Sequence, residues 1–182
     1  MRAAARVAHV HRGPARWFRP ALYVLALVVA QGLLSRLFDT LGLPAPDLFL
    51  LTGAALAWRL PALSALLASY GVGLAQDLLG GGMLGLHAAG VAGGALLVLF
   101  VRRSFGDSGI FQAFLTVLAA TLGEWLVFLL LTYWMRSELV TLDTLLGIVP
   151  VMFIGTLLVS PLWERVIGWA MGPRDGQEEH FS

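Results

Sequence analysis

The sequence predicts an all-α, polytopic membrane bundle of six transmembrane helices, and three observations carry that expectation. Hydrophobic residues make up 58% of the chain and charged residues 13%, against roughly 25% charged in an ordinary soluble domain. Mean hydropathy is +0.82, and the 182 residues divide into about six apolar runs of ~20 residues joined by short connections. The arginines, finally, fall on alternate connections, as the positive-inside rule requires. No room is left for a separate soluble domain. The chain divides into a basic segment over 1–19, the membrane domain over 20–169 and a C-terminal tail over 170–182.

Arg2, Arg6, Arg12, Arg16 and Arg19 precede the first apolar run. That run continues through Gln31-Gly32-Leu33-Leu34-Ser35-Arg36 without the small-residue site of a cleaved signal peptide, so it reads as a retained span. With His9, these arginines recur every three or four residues. They suit either a disordered positive-inside anchor or a basic face for anionic lipid headgroups. The tail Gly172-Pro173-Arg174-Asp175-Gly176-Gln177-Glu178-Glu179 reads as solvated.

The first span runs from about Pro20 to Phe38, with proline suited to a first helical turn. The second begins at Asp47, an N-cap after Pro46, and stops near Arg59 before Pro61. Its ~13 residues cover only ~20 Å of a ~30 Å core, so either its start is buried among other helices or the bilayer thins there. The third runs from about Ala62 to Leu79, the fourth from Met83 to Val101, and the fifth from Ile110 to Tyr133. The sixth covers Thr144 to Trp169, with Pro150 and Pro161 placed to bend it. With both termini inside, ten of the twelve arginines lie on the cytoplasmic side and only Arg36 and Arg136 lie outside. Asp39, Asp47, Asp77, Glu138 and Asp143 gather on the outer side. Trp17, Trp58, Trp134, Trp163 and Trp169 fall near span ends, as interfacial anchors do, while Trp125 sits beside Glu124 as a candidate cavity lining.

Asp77 and His87 flank the turn Gly80-Gly81-Gly82 and Gly85 inside an apolar region that disfavours both ionisable groups and loose backbone. The third and fourth spans form an antiparallel hairpin there, which puts Asp77 and His87 at similar depth within hydrogen-bonding reach. The pair suits closure of the turn, a proton site or a pocket wall. The glycines lack Walker spacing and read as a tight turn, not a phosphate loop. Glu124 lies near mid-membrane and must face protein or a wet cavity. Ala26/Ala30 and Gly90/Gly94 are helix-packing faces by their four-residue spacing, as are Ser64/Ala68 and Ser69/Gly73. With no cysteine and no spacing motif for three or four ligands, neither a metal nor a cofactor is expected. Paired carboxylates and His-Glu-x-x-His are also missing, so no catalytic residues are expected. Nothing in the sequence points to nucleic acid.

Pro46-Asp47, then Arg59 and Pro61, Gly71 and Gly73, Asp77-Leu78-Leu79, Gly80 to Gly82 and Leu84-Gly85-Leu86-His87 together form a pattern. So arranged, and with Arg102-Arg103 ending the fourth span, the chain resembles the MreD family, the rod shape-determining membrane proteins of bacteria. Met83 stands where that family often carries proline. The resemblance implies a multi-pass inner-membrane scaffold of the elongation complex that builds lateral peptidoglycan and maintains rod cell shape. The partners it implies are MreC, and in the same complex MreB, RodA and a class B penicillin-binding protein, together with membrane lipids. That family is itself similar to the six-helix substrate-binding subunits of energy-coupling-factor transporters, which implies a fold and leaves a vitamin- or small-solute-binding subunit as the alternative. On the scaffold reading Asp47, Asp77, His87 and Glu124 shape an outward-facing pocket or partner contact.

Overall fold

In the computed structural model, residues 15–81, 83–104, 109–135 and 142–172 are described. Gly82, Arg2, Arg6, His9, Arg12, Arg136, Glu138, Arg174 and the rest of the tail beyond Gly172 lie outside the described residues, as do the side chains of Arg16 and Trp17. The described residues form six α-helices in the order α1 (Ala15–Thr40), α2 (Leu48–Arg59), α3 (Ala62–Gly80), α4 (Leu86–Ser104), α5 (Gly109–Trp134) and α6 (Leu142–Met171). Five of them are long and apolar enough to cross a membrane, and α2 is too short.

The distribution of side chains is that of a protein solvated by hydrocarbon. Leu25, Leu33, Leu63, Leu67, Leu130 and Leu158 are exposed, while Asp47, Thr52, Asp77, Gln112, Glu124 and Thr156 are buried. In water this arrangement would waste the hydrophobic driving force; in lipid it places apolar atoms outward and gives polar groups partners within the bundle.

Burial of its start by other helices, one of the two options for the short second span, is what the structure adopts. Every residue of α2 from Leu48 to Trp58 is buried, and at 1.5 Å per residue the helix is only ~18 Å long. It runs through the middle of the bundle, touching α1, α3, α4, α5 and α6. Both of its ends therefore fall inside apolar surroundings, where the unpaired backbone groups of a helix terminus need side-chain partners. At its start Asp47 Oδ1 accepts from Leu50 N at 2.8 Å, Gln31 Oε1 of α1 accepts from Leu48 N at 2.8 Å, and Asp47 N donates to Thr156 Oγ1 of α6 at 3.1 Å. At its end Arg59 Nη1 donates to Ala55 O at 3.1 Å, and Arg102 Nη1 of α4 donates to Ala57 O and Leu60 O at 3.0 and 3.2 Å. Arg59 also ion-pairs with Glu164 of α6 and donates to Gly172 O at 3.2 Å. Positive charge at a helix C-terminus is further favoured by the macrodipole.

Midway along α2, Thr52 ties α1 and α6 to its surface. Its hydroxyl donates to Leu48 O at 2.7 Å, so the Tyr23 hydroxyl at 2.5 Å and the Trp163 indole at 3.4 Å must donate to it. Trp58 donates to Thr116 Oγ1 of α5 at 3.1 Å. Trp58 and Trp163 are thus core residues and not interfacial anchors: each indole N–H has a buried partner. Trp134 and Trp169 are exposed near helix ends.

Two helix starts differ from the sequence reading by three residues or more. Helix α1 begins at Ala15, so Pro20 lies inside it and not in its first turn; the Arg19 guanidinium lies 5.9 Å from the Trp169 ring centre, holding this early turn on α6. Helix α4 begins at Leu86, three residues after Met83, because Gly81 and Gly85 adopt left-handed φ of 65° and 95° before it. Helix α6 runs through Pro150 and Pro161, and Ser160 Oγ donates at 2.8 Å to Leu157 O, the carbonyl that Pro161 cannot serve.

Helices α4 and α5 meet backbone to backbone. A Cβ on Gly123 would lie 2.7 Å from Gly94 Cα, and one on Gly94 would lie 2.7 Å from Ala120 O. Gly90, also predicted as a packing residue, faces Glu124 and Phe128. On α1, Ala30 packs on the core beside the buried Tyr23 and Leu27, with Leu34 on the same seam, while Ala26 is half-buried. Gly71, by contrast, has open space where a Cβ would go. Gly123→Ala is expected to destabilise the bundle by about 2 kcal/mol through overpacking, and Gly71→Ala to be neutral or stabilising by a few tenths, as helix propensity allows. Thermal unfolding of both variants in detergent micelles checks the contrast.

Candidate functional site

The predicted site residues concentrate where α3 ends. Gln76 and Asp77 are consecutive on α3 and so point ~100° apart on a helix of 3.6 residues per turn. Each holds the first turn of a different neighbouring helix. Gln76 Nε2 donates to Asp47 Oδ2 at 3.0 Å, which fixes the N-cap of α2. Asp77 reaches across the glycine turn to the start of α4.

Asp77 is 1% exposed, and its two oxygens make four hydrogen bonds. Oδ2 accepts from Gly85 N at 2.8 Å and Ala88 N at 3.1 Å. Oδ1 accepts from His87 N at 3.0 Å and His87 Nδ1 at 2.8 Å. Those four use the roughly four acceptor positions of a carboxylate. Asp77 acts as the N-cap of α4 from another helix, and its negative charge meets the positive end of that helix. The turn lets the chain come round to it: Gly81 and Gly85 supply the left-handed backbone that an L side chain resists, and Gly73 lets α3 approach within 2.6 Å of Ala88 Cα at the position a Cβ would take. Gly80 carries no such constraint, with open space at its Cβ position.

His87 stands beside Asp77, as its position across the turn predicts. Its Nδ1 must carry the proton shared with a carboxylate oxygen, which leaves Nε2 as the free polar atom of the ring. The ring packs edge-on against Phe128 of α5, with centroids 5.4 Å apart. On its open side is a cavity of about 460 Å³. Its walls come from α1 (Val28, Gln31, Gly32, Ser35), the first turn of α2 (Phe49), the end of α3 (Gln76, Leu79, Gly80) and His87. A second, largely apolar cavity of about 270 Å³ lies between α2, α5 and α6, beside Trp58 and Glu164.

Glu124 approaches this cluster from the neighbouring helix without bonding to it. It is 1% exposed and lies on α5 against Gly90, and no hydrogen bond joins it to Asp77 or His87. Its Oε2 is buried without a partner, as are Thr121 Oγ1 and Trp125 Nε1 on the same turn of α5. Trp125 packs edge-on against Phe128 at 5.5 Å. Asp47, Asp77 and His87 therefore come together through Gln76 and the turn, while Glu124, near enough to Asp47 for their charges to interact, shares no hydrogen bond with them.

Gln31, Thr52 and Thr156 are structural residues that motif reading assigns no role, and Arg59 and Arg102, motif residues that also set the topology, prove to bond the carbonyls at the end of α2. The signal available for the first three is each one's isolation within an apolar run. Among the described residues no group of three or more His, Asp or Glu side chains could hold a metal ion.

No family model, curated protein or solved structure matches this chain. Its class rests on its own architecture: an all-helical bundle with five helices able to span a membrane and a short buried helix at its centre.

Replacing Asp77 with Ala leaves three backbone N–H groups, one buried at Ala88 and two part-buried at Gly85 and His87, and a ring N–H without acceptors. The expected loss is about 3 kcal/mol or more, with Asp77→Asn intermediate, because an amide keeps one acceptor oxygen and turns donors toward donors. Unfolding of the two variants in the same detergent orders the three proteins.

Proposed function

We propose that this chain is a non-enzymatic membrane scaffold of the MreD kind. On this reading it supports lateral peptidoglycan synthesis and rod cell shape by holding MreC, and through it MreB, RodA and a class B penicillin-binding protein, at the bacterial inner membrane. The observation that carries the reading is the use made of the motif carboxylates. Asp47 and Asp77 are both spent on capping helices, which suits a rigid platform better than a catalyst needing a free acid or base. The motif residues from Pro46 to His87 support the family, and the arginine distribution supports both termini in the cytoplasm. Because α1 and α3 both end at the glycine-turn end of the bundle, α2 carries the chain back between them and makes the sixth crossing despite its length.

A small-solute-binding transporter subunit is the second reading, favoured by the cavity beside His87. Affinity purification of the tagged chain from native membranes in mild detergent separates the two. Co-purification of MreC with wall-synthesis enzymes, reduced at least tenfold by Asp77→Ala while membrane insertion persists, is the expected result. An ATPase module recovered without MreC would replace the scaffold reading by the transporter one.

A further inference from the structure

The cavity between α1 and α3 has a chemistry of its own, independent of the scaffold reading. Helices α1 and α3 form its opposite walls without packing on each other among the described residues. Its volume of about 460 Å³ falls in the ordinary range for small-molecule sites. Gly32 on one wall and Gly80 on the other have nothing within 4 Å of their Cβ positions.

The polar groups at its edge are few and oriented. Gln76 Nε2 is committed to the Asp47 carboxylate, so Oε1 must be the other end of the amide, and it is buried with no partner. His87 Nδ1 is committed to Asp77, so Nε2 is the end left over. Ser35 Oγ accepts from Gln31 Nε2 at 3.4 Å and keeps its own proton to donate. His87 Nε2 and the Ser35 hydroxyl are thus the polar groups left unspent at the cavity's edge, while Gln76 Oε1 is unpartnered but buried behind the wall.

Charge narrows the occupant. Among the described residues no Arg or Lys lines the cavity, and the one basic ring there, His87, is already paired with the Asp77 carboxylate, so a phosphate or carboxylate placed in it would be desolvated without a counter-ion of its own. Among the described residues no carboxylate lines the cavity to take an ammonium, and Asp77 behind His87 is already saturated. What remains is a neutral head with hydroxyls, which both donate and accept. The apolar parts of the wall, Val28, Phe49 and Leu79, continue into exposed Leu33, Leu37 and Leu78 on the same two helices. A hydroxylated head seated in the cavity would have its acyl chain follow that apolar surface.

We propose that the α1–α3 cavity binds the neutral, hydroxylated head of a single membrane amphiphile, with His87 and Ser35 as its polar contacts. A sugar-free detergent keeps the test clear, with native mass spectrometry of the purified full chain titrated with 1-oleoylglycerol. A one-to-one adduct is expected, with free glycerol and dioleoylphosphatidylethanolamine at least tenfold weaker. Gly32→Leu fills the cavity from an exposed helix face without removing a hydrogen bond, and should weaken the adduct at least tenfold; Gly71→Leu, on an open face away from the cavity, should leave it unchanged. Should Gly32→Leu not fold, Ser35→Leu fills the same wall and also removes a proposed polar contact, and should weaken the adduct at least as much. Absence of the adduct, equal binding of the phosphatidylethanolamine, binding of glycerol as tight as its oleoyl ester, or binding insensitive to a folded cavity-filling variant would each overturn the proposal. None of these outcomes depends on MreC, so loss of the scaffold reading and loss of this site are read separately.

Discussion

A helix too short to cross the apolar layer must have its ends satisfied inside it, and that requirement organises this molecule. Water is not there to bond the first N–H groups or the last C=O groups of α2. Each neighbouring helix that reaches those ends brings a polar side chain for the purpose: Gln31 from α1, Thr156 from α6 and Arg102 from α4. Their bonds fix the rotation and depth of α1, α4 and α6 about α2 at the same time. The apolar seams then fill the space those anchors define, with Tyr23, Leu27 and Ile167 on one side and Ala95, Val98 and Ala120 on another.

The end of α3 repeats the device twice within two residues. Gln76 secures the N-cap of α2, and Asp77 caps α4 across the turn. A carboxylate in an apolar region is costly until its oxygens are filled, and filling them with backbone N–H groups turns the cost into a constraint on geometry. The positive ends of α2 and α4 meet the two aspartates, so helix termini take part in compensating their charge.

Degree of satisfaction separates the polar residues into two kinds. Asp77, Asp47, Thr52 and Arg102 are committed to backbone or to each other and define the fold. Thr121, Glu124 and Trp125 share one turn of α5 and leave buried polar atoms without partners, and Gln76 keeps one free oxygen. Buried groups of this second kind are where a membrane bundle retains capacity for another molecule. In this protein they are Gln76 Oε1 near the end of α3 and the Thr121, Glu124 and Trp125 group on α5.

Much of the architecture is a property of the sequence alone. The apolar runs set six helices, Pro46-Asp47 and Arg59-Leu60-Pro61 set the limits of α2, and the hairpin geometry set Asp77 beside His87, because hydropathy, caps and glycine turns act over a few residues. Only the tertiary structure decided that α2 lies wholly inside, that Trp58 and Trp163 are core hydrogen-bond donors, and that Asp77 is saturated by α4 while Glu124 is left unpaired. Those outcomes depend on which helix faces which. Between apolar helices that choice rests on close approach at residues such as Gly93, Gly94 and Gly123 and on the pairing of isolated polar side chains, neither of which has a local signature.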